Sequence, residues 1–142
     1  MTGGESVQTL ADVSRYPVTF IRWWGARAFA DYYGVSLPTE AQWEKAARGT
    51  DARTYPWGDA YNPKLCNTWE SGMGATTRVG RYRKGASPYG ILDMAGNVLE
   101  WTTTRFRGNF VLKGGSWGLS RDGGASDFRY VHFPPETRTP MV

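Results

Sequence analysis

The chain changes character at Pro17. Residues 1–16, MTGGESVQTLADVSRY, are polar and glycine-bearing without a hydrophobic period, and are expected to form a flexible N-terminal segment. From residue 17 to 142 apolar positions recur often enough to build one domain of ordinary size. In PVTFIRWWGARAFADYYG, Val18, Phe20 and Ile21 enter extended, and Trp24, Ala28 and Tyr32 then repeat every four residues. That spacing predicts a helix near 22–33 with those three on its apolar face and Gly34 as the stop. LPTEAQWEKAARG carries a sharper signal. Thr39 stands where a cap belongs, and Gln42, three residues on, can reach back to complete a capping box. Trp43, Ala46 and Ala47 supply the apolar face and Gly49 ends the helix, predicted over 39–48.

Beyond Gly49 no helical period survives, and Gly, Pro and Asn divide the chain into short runs. VLEWTTT and NFVLKGG read as strands that pair across RFRGN. SDFRYVHF alternates as a further strand, which sets Phe128, Tyr130 and His132 on one face. Two helices followed by a meander of short strands predict an α+β domain. No internal repeat is visible.

Composition sharpens this picture. Seven Trp, eight Tyr and six Phe stand beside 18 glycines, so burial rests on large flat side chains next to tight turns. The net charge of +4 comes from scattered basic residues. Their densest group, Arg78, Arg81, Arg83 and Lys84, reads as a solvated face, and no nucleic-acid partner is expected. The single cysteine, Cys66, excludes an intrachain disulfide and reads as a packed thiol. No apolar run approaches the roughly 18 residues of a membrane span, and the first 16 residues hold no signal-peptide core. The chain is expected to be soluble, without membrane insertion, and its compartment stays unassigned.

Four motifs occur in order: LPTEAQWEKAARG, YPWG, DMAGNVLEWT and GGSW. Together, from about Pro17 to the last residue, they resemble the formylglycine-generating enzyme and sulfatase-modifying-factor family. The resemblance implies a C-type-lectin-like fold, two helices with small twisted antiparallel sheets and much irregular loop. Two departures stand out: the family's opening GGxFxMG-like segment and its closing GFR are not found.

The family's enzymes oxidise a substrate cysteine with two copper-binding cysteines, placed three and eight residues after the serine of GGS. Soft thiolates suit Cu(I). Counted from Ser116, those positions hold Leu119 and Gly124, neither of which ligates a metal. Iron-dependent relatives take their ligands largely from a separate helical domain, and one histidine, His132, cannot build a multi-histidine site. Ser116, His132 and Asp127 permit a triad only arithmetically. Catalysis is therefore the less favoured class; the alternatives kept are a sulfatase-modifying type oxidoreductase, an accessory domain of an enzyme, or a structural domain of a larger signalling protein.

The favoured class is a non-catalytic ligand-binding domain. The resemblance extends to variable proteins of diversity-generating retroelements, in which adenine-directed mutagenesis rewrites positions after GGSW. Asn AAC codons altered at adenines never yield Trp, Lys, Glu, Gln or Met, and residues 118–133 contain none of these. The candidate ligand-binding residues are Trp117, Gly118, Leu119, Ser120, Asp122, Ser126, Phe128, Tyr130, His132 and Phe133. Rigid aromatics beside small polar groups are the composition of a contact surface, suited to a protein or cell-surface ligand. The resemblance also implies a structural Ca²⁺ ion, and the matching positions are Asn67, Asn97 and Glu100. Asn97 alternatively stabilises a turn, and Glu100 alternatively pairs with an Arg.

Overall fold

The computed structural model describes residues 13–131. Most of the 1–16 segment therefore lies outside it, as do His132 and Phe133. Within the part of that segment that is described, the Arg15 carbonyl accepts the Val79 N–H at 2.8 Å. Helix α1 spans Trp23–Tyr32 and helix α2 spans Glu40–Arg48. Strands β1 (Glu100–Phe106) and β2 (Asn109–Lys113) form an antiparallel hairpin.

The capping box of α2 is complete: Thr39 Oγ1 accepts the Gln42 N–H, and Gln42 Oε1 accepts the Thr39 N–H at 2.9 Å. Trp43 and Ala47 are buried with Met94, and α2 lies against both strands. The hairpin turns through Arg107 and Gly108, both at positive φ (49° and 84°), a two-residue turn whose twist suits antiparallel strands. Glu100 pairs with Lys113 and Trp101 with Leu112, but the register shifts before Arg105 meets Phe110. At the shift Thr102 Oγ1 donates to the Val111 carbonyl at 2.8 Å, and the Thr103 N–H turns to the Pro38 carbonyl at 2.8 Å. The irregular strand thus fastens the connection between the helices.

The facing of α1 differs from the expected one. Trp23, Ala26 and Ala30 are buried, whereas Trp24 and Tyr32 are exposed and Ala28 points outward with them. Both sets have helical spacing, so spacing alone does not choose between them. The choice is made by Trp23, whose indole N–H donates to the Thr102 carbonyl at 2.9 Å and whose ring stacks on Phe110 at 4.0 Å. The main core joins these residues to Leu99, Trp101 and Leu112.

The expected meander is also reduced. Among the described residues the sheet has two strands, and 49–99 crosses the fold through turns and isolated bridges such as Asn67 to Gly96. Among the described residues of SDFRYVHF, only Tyr130 pairs with the sheet, exchanging two backbone hydrogen bonds with Leu112. The Ser126 N–H goes to the Thr54 carbonyl and that of Phe128 to Ala125, so no ladder continues. Among the described residues no helix is long and apolar enough to cross a membrane.

Candidate functional site

The loop that leaves β2 is shaped by close packing at its start. Gly115 has φ of 72°, and a Cβ there would lie 2.5 Å from the Gly123 carbonyl oxygen. Only glycine lets the strand exit touch the short 3₁₀ turn Arg121–Gly124. The Trp117 N–H reaches the Asn97 carbonyl at 3.2 Å, and Leu119 closes a turn onto Ser116.

Two neighbours then fix the outer part of the loop. The Trp69 N–H donates to the Leu119 carbonyl at 2.9 Å. Glu70 Oε1 accepts the Arg121 N–H at 2.8 Å, while its other oxygen accepts from Thr68 Oγ1 at 2.9 Å. Burial raises the Glu70 pKa, but hydrogen bonds from the Arg121 and Glu70 backbones and from the Thr68 and Tyr61 hydroxyls outweigh it, holding the carboxyl below its ordinary range. An ionised Glu70 is therefore the stable anchor of the turn.

At its far end the loop is tied to α2. Arg129 Nε donates to Glu40 Oε1 at 2.6 Å, and its guanidinium stands 5.2 Å from the Phe106 ring centre. Beneath this pair lies Lys113, fully buried, with Nζ 3.6 Å from Glu44 and 3.9 Å from Glu40, over the Trp43 ring at 5.6 Å. Burial lowers the pKa of its ammonium, and the two carboxylates oppose that shift.

These constraints separate the candidate ligand-binding residues. Ser120, Asp122 and Phe128 are exposed, and Arg121, Asp127 and Arg129 beside them are exposed as well. Trp117 and Gly118 are half-buried. Leu119 packs against the core, as does Tyr130, whose ring stands 4.9 Å from Phe128. Ser126 is 0% exposed, which corrects its place among displayed residues: its backbone is drawn inward by Thr54.

Sequence reasoning missed two residues here, Trp69 and Glu70. Trp69 is 66% exposed beside Leu119, and nothing in NTWES supplies a core partner for such a ring. A tryptophan set among polar residues was the available signal.

The copper positions of the resembled enzymes are occupied by packing. Leu119 turns inward, and a Cβ added to buried Gly124 would lie 3.3 Å from the Thr68 methyl group. Cys66 is buried elsewhere, its thiol donating to the Asn62 carbonyl at 3.8 Å. Burial pushes the thiol pKa up to about 11, against the Thr68 and Tyr61 hydroxyls, so it stays protonated near neutrality. Among the described residues no three His, Cys, Asp or Glu side chains gather as a metal site. Ser116 is buried and Asp127 exposed, which gives no support to a triad.

Of the three calcium candidates, Asn67 and Asn97 bond each other, and Glu100 bonds Trp43. Asn67 Nδ2 donates to Asn97 Oδ1 at 3.2 Å, and Asn97 Oδ1 also accepts the Thr77 N–H at 2.8 Å. Asn67 Oδ1 accepts from Ser71 Oγ at 3.1 Å. The two amide oxygens thus serve internal donors and make Asn97 a loop brace. The brace is tight: a Cβ at Gly96 (φ 77°) would lie 2.2 Å from the Asn67 carbonyl oxygen. Glu100 is turned instead to Trp43, accepting its indole N–H at 2.7 Å, rather than to an Arg. Burial raises its pKa to about 7, opposed by that hydrogen bond and reinforced by Asp93. In this arrangement the Glu100 carboxylate is committed to Trp43, and the amide oxygens of Asn67 and Asn97 to internal donors.

Comparison with known proteins places this geometry. The family model described as sulfatase-modifying factor enzyme 1-like domain matches residues 2–139. A formylglycine-generating enzyme of Mycobacterium tuberculosis is 43% identical over 68% of this chain and 36% of its own length. The inactive C-alpha-formylglycine-generating enzyme 2 of Bos taurus is 35% identical over 78% of this chain and 42% of its own length. The chain thus spans about two fifths of the length of these two relatives. In fold it is similar to Treponema denticola variable protein 1, with a TM-score of 0.76 and 21% identity over 95% of this chain and 71% of that one. PvdO from Pseudomonas aeruginosa gives a TM-score of 0.75 at 21% identity, over 87% of this chain and 58% of that one.

Proposed function

We propose, from the premise that this chain belongs to the sulfatase-modifying factor enzyme 1-like family, that it is a non-catalytic member whose surface around residues 117–130 binds a protein or cell-surface ligand. The observation that carries the reading is what fills the two thiolate positions. Leu119 packs against the core, and the Thr68 methyl lies 3.3 Å from the place a Gly124 Cβ would take, closer than ordinary van der Waals contact. The loop has been given over to packing where the enzymes need soft sulfur ligands. Kinship with a protein named as inactive supports the same reading.

The binding surface is then Ser120, Asp122 and Phe128 with Trp69 at its edge. Phe128 and Trp69 are 40% and 66% exposed, on backbone fixed by hydrogen bonds. A ring carried on a backbone already held in place loses less entropy on contact than one on a free loop, which suits a binding anchor. If a retroelement diversifies the segment, variation concentrates at 120, 122 and 128, and a template copy of the segment lies beside the gene.

The test is binding of the labelled 142-residue chain to arrays of cell-surface proteins and glycans. Trp69→Ala and Phe128→Ala are each expected to weaken a specific ligand by about tenfold or more. A ligand held equally by both variants would overturn the assignment of this surface.

A further inference from the structure

Helix α1 is apolar on both sides. Its inner stripe of Trp23, Ala26 and Ala30 closes on the hairpin. Its outer side and the capping residue after it leave Trp24, Phe29, Tyr32 and Tyr33 at 52, 66, 83 and 62% exposure. Phe29, Tyr32 and Tyr33 form a joined surface, with Phe29 and Tyr33 centres 4.8 Å apart and Tyr32 and Tyr33 5.0 Å apart, and Trp24 stands two turns before Tyr32 along the helix. A contiguous exposed apolar patch on a surface helix marks an interaction site.

Two features say what covers it. Trp24 and Tyr32 flank Ala28 at equal spacing of four residues, so the stripe is symmetric about a small side chain. Gly25 beside it has no atom within 4 Å of the place a Cβ would take, which leaves open floor for an approaching helix. A second α1 crossing antiparallel at Ala28 sets Trp24 on the partner's Tyr32 and Tyr32 on the partner's Trp24, at the usual interaxial distance of about 8–10 Å. Along the edge, Arg27 and Asp31 form an ion pair at 2.8 Å with both side chains about half exposed. The same two-fold operation brings the partner's Asp31 toward Arg27, so the surface complements itself in charge, as an isologous contact requires.

We propose that the outer face of α1 is the interface of a two-fold homodimer of this chain. It uses a different set of residues from the ligand surface and does not depend on that reading. Sedimentation equilibrium of the 142-residue chain from low to high micromolar concentration tests it. The mass is expected to rise from 15.9 kDa toward twice that value. Trp24→Glu with Tyr32→Glu, both at exposed positions, is expected to keep the native circular dichroism and remain monomeric. Arg27→Asp and Asp31→Arg alone are each expected to weaken dimerisation by about tenfold, and the two together to restore it. A chain that stays monomeric throughout, an assembly other than a dimer, or a dimer that survives the Trp24 and Tyr32 substitutions would overturn the proposal.

Discussion

Cys66 shows how one side chain limits the chemistry open to the fold. Its thiol is buried beside Tyr61 and Thr68, and burial has moved its pKa to about 11. Because the folded value lies above the ordinary one, the associated stability is complete below the unfolded value of about 8.5 and is lost as pH rises through about 11. At pH 8 the native protein should therefore react with a colourless aromatic disulfide reagent at least about a hundredfold more slowly than the chain in denaturant, which exposes an ordinary thiol. Equal rates in the two states would mean that Cys66 is neither shielded nor held protonated. The packed thiol was legible in the sequence because a single cysteine without ligand-spaced partners has little else to do. The burial of Ser126 was not, because serine suits a displayed loop and an internal turn alike, and the deciding Thr54 carbonyl lies far away in the chain.

Among the elements, α2 and the hairpin were the most legible. The cap of α2 is local, Thr39 with Gln42, and the hairpin strands flank a turn whose glycine takes the required backbone conformation. The direction of α1 was not legible, since two stripes of equal periodicity compete and a contact 79 residues away decides between them. The loop after β2 belongs to the same class: it holds its shape through Glu70 and Trp69 rather than by a ladder of its own. Replacing Glu70 by Ala should free the Arg121 N–H, increase amide hydrogen exchange across 119–124 and cost about 1.5–3 kcal/mol in urea unfolding, the range for a hydrogen bond to a charged group. Glu70→Gln retains one acceptor and should fall between. Unchanged exchange in Glu70→Ala would show that glycine packing alone shapes the turn.

At the scale of the whole molecule, four ordered motifs revealed the family before any contact was known, because each encodes a local requirement: a cap, a tight turn, a braced loop, a close approach. What they did not reveal is which surfaces are left over once the core is built. The loop face offers Trp69 and Phe128 on fixed backbone, and the α1 face offers aromatics symmetric about Ala28. Neither follows from motif identity, because both depend on which of several apolar sets the core takes first. The missing thiolates join the two scales: Leu119 and Gly124 stand where the enzymes' cysteines would, and both serve packing, which is what the proposed binding role rests on.

The most direct test of that claim is mass spectrometry of a cysteine-containing sulfatase peptide incubated with this chain, copper and oxygen. The peptide is expected to keep its cysteine thiol throughout, at the level seen without protein, while a formylglycine-generating enzyme run in parallel converts it. Formylglycine appearing in proportion to the chain would contradict the account and make this domain an enzyme.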